Sequence, residues 1–288
     1  MNPTKPMILV VALVLPLPAA KAEEKPLAQD WDYAPAMKKL TAKFKGKPGV
    51  VLHVGDSITY SNPYGQWAQG GAGKTDADKA ILKWIHAGAN DDTDGWYLAR
   101  FDHPAGGRSY TACSGIRAEE MLAGGKQKMP PLKEILEKYQ PQMVVLMLGT
   151  NDASAKRTVE AFRADMEKAV ALILDRNAIC ILSTIPPHPG QYDLAKSYNE
   201  ALRKLARDRS LPLIDYEKEI LQRRPNDWNG TLLAKNDVHP TASQGGTTTA
   251  SAPTAENLRN SGYLLRSWLS VQKIAEVKKN VIDPAPRE

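Results

Sequence analysis

Cysteine is scarce. Two residues, Cys113 and Cys180, stand in a chain of 288, so at most one disulfide could form and a bridge-stapled scaffold is excluded. Cys180 lies in an apolar, strand-like run and Cys113 in a loop. Both are therefore expected as unpaired, buried thiols. Long apolar runs are equally scarce: beyond residue 22 no segment is long and apolar enough to cross a membrane. No basic run is interleaved with aromatic residues, which argues against a nucleic-acid partner. The formal net charge of +6 and the pI of about 9.1 come from scattered residues such as Lys38, Lys43, Arg223 and Lys278, and read as a solvated surface. Internal repeats and linkers are also lacking. What remains, 42% hydrophobic and 24% charged residues, fits a soluble globular protein.

The first residues have a separate character. Lys5 supplies a positive start, Met7–Leu17 is an almost unbroken apolar stretch, and Ala20-Lys21-Ala22 is a small-x-small cleavage site. Residues 1–22 thus read as a secretory signal, with Glu23 as the mature N-terminus. The apolar stretch is short for a membrane anchor and carries Pro16. The expectation is a secreted or periplasmic protein with no stable membrane insertion.

From residue 23 to 288 the pattern is that of one domain. After an entry segment with a helix over Ala36–Phe44, Val50–Val54 is a short, mostly β-branched run that reads as a buried parallel strand. It breaks at Gly55-Asp56-Ser57. Residues 61–110 form a long insertion, with a helix predicted over Asp76–His86 and an extended piece over Gly95–Phe101. Strand-like and helical stretches then alternate: helices from Ala118 and over Pro131–Tyr139, a strand over Met143–Leu148, a helix over Thr158–Asp175, a strand over Ile179–Leu182, a helix over Asp193–Arg207, a strand over Leu211–Ile214, a helix over Tyr216–Arg223, and a last helix over Leu258–Val277. Such alternation builds an α/β fold, a parallel central sheet with helices on both faces.

In a sheet of this kind chemistry is done in the loops beyond the carboxyl ends of the strands. Those loops, and a late one, carry Gly55-Asp56-Ser57, Gly149-Thr150-Asn151-Asp152 and Asn236-Asp237-Val238-His239-Pro240, and a fourth block, Cys113-Ser114-Gly115, precedes a helix. Brought together they supply an acyl-transfer site. Ser57 would attack and His239 would take its proton. The N–H groups of Ser57 and Gly115 and the side-chain amide of Asn151 would hold the oxyanion.

With these four blocks in order, the chain resembles the SGNH hydrolases, also called GDSL-type esterases and lipases. The resemblance covers roughly residues 50–275. Gly55-Asp56-Ser57 and Gly149-x-Asn151-Asp152 match the family pattern in full; Gly115 matches the second block loosely. It implies a three-layer, flavodoxin-like α/β/α sandwich and serine ester hydrolysis without metal or organic cofactor. The fourth block departs from the pattern. Three residues before His239, where the family has Asp, stands Asn236, and Asp237 follows it. Either Asp237 or Asn236 would orient the imidazole.

Two other stretches imitate binding motifs. Ala68–Thr75 looks like a phosphate-binding loop but follows no strand. Asn90, Asp92, Asp94 and Gly95 look like the start of a calcium loop, yet its twelfth position is Phe101. His53, inside the first strand, is expected in the core, and His188, among prolines, has no assigned role. The aromatic residues of the insertion, Tyr64, Trp67, Trp84, Trp96 and Tyr97, suggest a carbohydrate-borne ester. The expected function is hydrolysis of small acyl esters, foremost acetyl, on a small molecule or glycan. A lipase or thioesterase is the alternative within the class, and a non-catalytic carbohydrate- or cell-envelope-binding protein, kept open by Asn236, is the alternative outside it.

Overall fold

A computed structural model describes residues 24–100 and 110–283. In chain order these form α1 (Ala34–Thr41), β1 (Lys47–Gly55), α2 (Ser57–Tyr60), α3 (Pro63–Gly70), α4 (Asp76–Trp84), α5 (Gly95–Ala99), α6 (Ala118–Ala123), α7 (Leu132–Tyr139), β2 (Pro141–Met147), α8 (Thr150–Ser154), α9 (Val159–Leu174), β3 (Ile179–Ser183), α10 (Tyr192–Asp208), β4 (Leu213–Ile214), α11 (Tyr216–Arg223) and α12 (Gly262–Val277). The leader proposed over residues 1–22 and Phe101 lie outside the described residues.

The four strands pair in the order β1-β2-β3-β4, all parallel, with Val54 opposite Leu146, Val144 opposite Cys180 and Leu182 opposite Leu213. On the free side of β1, Gly55 forms a single parallel bridge with Ala112. A fifth chain segment thus lies beside β1, as in a flavodoxin-like sheet. The middle of the sheet is mostly apolar: from Val50 to Val54 and from Met143 to Met147 every side chain is buried, and His53 is the one polar residue among them. That is the pattern of strands covered on both faces. On one face α9 and α10 pack on β3, with α6 and α7 against α9. On the other, α1 packs on β3, α5 on β1, and α12 on β4, α3 and α4. This is the α/β/α sandwich.

Local chemistry sets the element ends. Thr75 caps α4 through a reciprocal box with Asp78, Thr158 caps α9 through the Ala161 N–H, and Ser261 caps α12 through the Leu264 N–H. The last cap starts α12 at Gly262, later than the periodicity predicts, and leaves Leu258 in a 3-10 turn. A second expectation fails outright. The start of the piece predicted as extended from Gly95 is the helix α5, because the buried Asp94 carboxylate accepts the N–H groups of Trp96 and Tyr97. Its other oxygen accepts the Gly88 N–H at 2.8 Å. The carboxylate that imitated a calcium ligand therefore organises the backbone. Likewise Lys74 follows a helix and precedes the cap of α4.

The insertion joins the main core. Tyr64, Trp67 and Trp96 are buried in the same cluster as the strands. Both cysteines are buried, and Cys180 is a free thiol. Among the described residues no helix is long and apolar enough to cross a membrane.

Candidate active site

β1 delivers Ser57. The strand ends at Gly55, where no side chain fits: a Cβ would lie 2.2 Å from Thr59 Oγ1 and 2.6 Å from the Met147 carbonyl. Asp56 then caps α2, its Oδ1 accepting the Ile58 N–H at 3.0 Å, and Ser57 opens that helix. At the free edge of β1 the Gly55 N–H donates to the Thr111 carbonyl and the Cys113 N–H to the Gly55 carbonyl. Two backbone bonds thus bring the second block beside the first.

The third block is stitched to the second. The Asn151 amide donates to the Ile116 carbonyl at 3.1 Å, and the Asp152 carboxylate accepts the Ala118 N–H at 3.1 Å. Arg157 grips Asp152 at 2.6 Å and Asp165 at 2.7 Å. Burial raises the Asp152 carboxyl above its ordinary range in spite of that guanidinium. Gly115 holds a φ of +74°, a conformation that an L side chain rarely takes.

The fourth block closes the site. Ser57 Oγ lies 2.9 Å from His239 Nε2, and His239 Nδ1 lies 2.7 Å from Asp237 Oδ1. The same Oδ1 accepts the His239 backbone N–H at 3.1 Å. Asn236 turns the other way. It sits at φ +57°, its N–H donating to Asn229 Oδ1 and its Oδ1 accepting from Asn229 Nδ2. Of the two residues named for the imidazole, Asp237 stands on the ring and Asn236 faces Asn229. The loop is fixed by Ala234 N–H to the His239 carbonyl and by a bridge between Leu233 and Pro240.

The model of the GDSL-like lipase/acylhydrolase family matches residues 53–244, most of the chain and all four blocks. The chain belongs to that family. It is a serine carboxylic ester hydrolase. Among solved structures it is similar to an acetyl esterase, determined with an acetate ion, at 17% identity and a TM-score of 0.53, covering 80% of this chain and 98% of that one. A lipase/acylhydrolase from Enterococcus faecalis matches at 20% identity and a TM-score of 0.50, over 83% of this chain and 98% of that one. An acetylxylan esterase from Geobacillus stearothermophilus matches at 16% identity and a TM-score of 0.48, over 78% and 93%. No curated protein matches the sequence.

The electrostatics of this GDSL-type hydrolase differ across the site. Asp56 is fully buried, and burial pushes its carboxyl up to about 6 against the opposing Ile58 N–H and the Arg266 charge. For the half-exposed Asp237, burial would also raise the carboxyl. The hydrogen bonds from the His239 ring and backbone outweigh it and hold the group below its ordinary value. Beneath the nucleophile lies Arg266 of α12, itself buried. It donates to the Ile58 carbonyl and to Thr59 Oγ1, both at 2.8 Å, and stacks 3.9 Å from the centre of the Tyr64 ring. Sequence reasoning passed over Arg266. The signal was there: a charge set among Leu264, Leu265, Trp268 and Leu269 on the core side of the last helix.

His53 is buried, its Nδ1 2.9 Å from the Tyr64 hydroxyl. His188 makes a second serine contact, its Nε2 lying 2.9 Å from Ser154 Oγ. Its Nδ1, however, accepts the Gly190 N–H at 3.2 Å. The neutral ring then carries its proton on Nε2 and donates to Ser154, which donates onward to the Thr150 carbonyl.

Proposed function

We propose that the protein is an exported esterase that removes small acyl groups, foremost acetyl, from carbohydrate-borne esters through an acyl-enzyme. The observation that carries the mechanism is the relay from Ser57 Oγ to His239 Nε2 and from His239 Nδ1 to Asp237. With Nδ1–H held by a carboxylate, Nε2 is the free acceptor. Ser57 Oγ attacks the ester carbonyl and its proton passes to Nε2. The carbonyl oxygen, now charged, sits among the N–H groups of Ser57 and Gly115 and the Asn151 amide. Collapse breaks the bond to the alcohol, which takes the proton from His239. Water then attacks the acyl-serine, gives its proton to His239, and Ser57 leaves with that proton restored. Asp237 stays ionised throughout and steadies the imidazolium. The non-catalytic alternative rested on Asn236, and Asp237 supplies the carboxylate that Asn236 lacks.

A sugar leaving group is supported by the surface around the base. Asp237 and His239 are half-exposed, which leaves room for a bulky alcohol. Tyr192, 40% exposed, stacks on Trp228 with the rings 18° from parallel. The Trp228 carbonyl accepts the Leu233 N–H at the root of the His239 loop. Sugar rings pack on such aromatic faces through their C–H groups. Of the aromatic residues of the insertion, Tyr64, Trp67 and Trp96 lend no such support, because they are core. An acetyl group is the first choice because a fold neighbour is an acetyl esterase.

Turnover of a chromogenic acetyl ester, with Ser57→Ala as control, tests the chemistry. Acetylated xylo-oligosaccharides set against long-chain acyl esters test the substrate class. Faster turnover of the long-chain esters makes the protein a lipase or thioesterase. Export is tested by mass spectrometry of protein secreted from a bacterial host: an N-terminus at or near Glu23 is expected, and an intact Met1 on exported material overturns it.

A further inference from the structure

The turn after α6 has an unusual backbone. Gly124 and Gly125 take φ values of +72° and +92°, and Gln127 and Lys128 follow at +49° and +67°. Two non-glycine residues in succession in the left-handed region are costly. A conformation of that kind persists only where its surroundings enforce it. Here the turn is tied to the second block. Lys126 Nζ donates to the Gly115 carbonyl at 2.7 Å, Gln127 Nε2 donates to the Ser114 carbonyl at 3.2 Å, and the Cys113 thiol lies 3.8 Å from the Lys126 carbonyl. The ammonium is itself anchored on Glu120, at 3.1 and 3.3 Å, and Glu120 is held by the backbone and side chain of Arg117.

The peptide between Ser114 and Gly115 carries the N–H that would face the oxyanion. Its carbonyl is the one Gln127 binds. Carbonyl and N–H of one amide point in opposite directions, so a donor on the carbonyl fixes where the N–H aims and strengthens it. The next carbonyl, that of Gly115, is the one Lys126 binds. Gly115 therefore sits between two gripped peptide planes. Without a Cβ it would otherwise be free to rotate.

We propose that Lys126 is a positioning residue for catalysis: while Gln127 grips the Ser114–Gly115 peptide, the Lys126 ammonium on the Gly115 carbonyl locks the peptide that follows, so that Gly115 does not rotate and its N–H stays in line with the developing oxyanion. This rests on the reading of Gly115 and Asn151 as oxyanion donors. Lys126 touches no reacting atom. It acts through the backbone of Gly115, with Gln127 as its partner on the preceding carbonyl.

The test uses the full chain with Lys126→Met, Lys126→Arg and Asn151→Ala. Three quantities are read: kcat/KM on a chromogenic acetyl ester, the inhibition constant of a small alkylboronic acid, and the melting temperature. In the boronate adduct Ser57 Oγ bonds to boron, the serine proton passes to His239, and no group leaves. The adduct is a tetrahedral anion that needs the same donors. Removing a donor outright costs on the order of 100- to 1,000-fold, and mis-aiming one is expected to cost about tenfold. Lys126→Met should lower kcat/KM about tenfold and weaken boronate binding in parallel, with the melting temperature little changed. Lys126→Arg, which keeps a cationic donor, should recover most of both. A folded Lys126→Met with normal kcat/KM and normal boronate binding, while Asn151→Ala is impaired, overturns the inference. So does a loss that the arginine variant fails to recover, or one that appears only with a fall in melting temperature. If Asn151→Ala is also silent, the oxyanion reading itself fails and the role of Lys126 falls with it.

Discussion

Among the described residues two serine–histidine pairs stand at the same separation. Ser57 Oγ lies 2.9 Å from His239 Nε2, and Ser154 Oγ lies 2.9 Å from His188 Nε2. Distance does not tell a nucleophile from a bystander here. The far nitrogen does. On His239 it meets a carboxylate, Asp237 at 2.7 Å, and must carry the proton. On His188 it meets the Gly190 N–H and must be bare. One ring is thus left with a basic nitrogen facing its serine and the other with an N–H. A hydrogen-bond partner on the side away from the reaction sets the direction of proton flow.

Deleting each serine gives the widest separation. In the subtilisin template, loss of the nucleophile costs on the order of a millionfold in kcat. Ser57→Ala should approach that on an acetyl ester, and Ser154→Ala should stay within about threefold, as an exposed substitution away from the reacting atoms. A fluorophosphonate followed by peptide mapping should label Ser57 alone. Label on Ser154 would abolish the distinction between the two pairs.

The next largest effect removes the charge behind His239 and leaves its shape. Asp237→Asn can present an amide hydrogen to Nδ1 and push the ring toward the tautomer seen in His188. In the serine-protease template that change costs about 10,000-fold. A similar fall in kcat, with folding intact by circular dichroism, is expected. A loss under about tenfold would mean that the imidazole is oriented by something other than this carboxylate.

Most of this was legible in the sequence, and the illegible parts share a cause. The strands β1 to β3 are buried on both faces, so each reads as a run of apolar residues ending in a polar block. Ser57 and Asn151 stand in such blocks, His239 stands in the late loop, and Gly115 stands in a block that precedes α6. The choice between Asp237 and Asn236 could not be read, because it depends on a left-handed residue in a turn. Asn236 adopts φ +57°, which swings its side chain to Asn229 and presents the next residue to the ring. Spacing rules assume regular backbone, and one such residue shifts the register of a loop. The contacts of Arg266 and Lys126 were illegible for a different reason. Each binds a backbone carbonyl, Arg266 that of Ile58 and Lys126 that of Gly115, and a carbonyl leaves no mark in a sequence. α5 was misread because one carboxylate, Asp94, captured the N–H groups of Trp96 and Tyr97 in a stretch that otherwise looks extended.

A smaller effect concerns the bystander histidine. Burial lowers the pKa of His188 below its ordinary value. A group shifted that way favours the native state while neutral, above the unfolded value of about 6.5. The contribution is lost as pH falls through that value toward the folded one. His188→Gln cannot charge, so its unfolding free energy in urea should fall less between about pH 7 and pH 5 than that of the wild type. His53, which burial also keeps neutral, contributes the same background to both proteins. An equal or steeper acid loss in the variant would mean that His188 is protonated in the native state, and the tautomer argument would go with it.

The smallest expected effect is the most informative about the fourth block. Asn236→Asp restores the residue that the family pattern has three positions before the histidine. If spacing alone placed the orienting group, the change should speed the enzyme. The geometry argues otherwise. At φ +57° residue 236 points away from the ring, and its side-chain oxygen already accepts the Asn229 amide at 3.2 Å. An aspartate there keeps that acceptor. It loses only some of the ease with which asparagine takes the left-handed conformation. No charge is brought to His239 Nδ1, because Asp237 holds it at 2.7 Å. Turnover should stay within about twofold and stability within about 0.5 kcal/mol. The double variant Asn236→Asp with Asp237→Ala should be as impaired as Asp237→Ala alone, since the loop bonds from Asn229 to residue 236 and from Ala234 to the His239 carbonyl keep position 236 turned outward. Recovery of activity in the double variant would show that this turn can invert, that residue 236 can reach the ring, and that Asp237 holds its place by occupancy and not by backbone geometry.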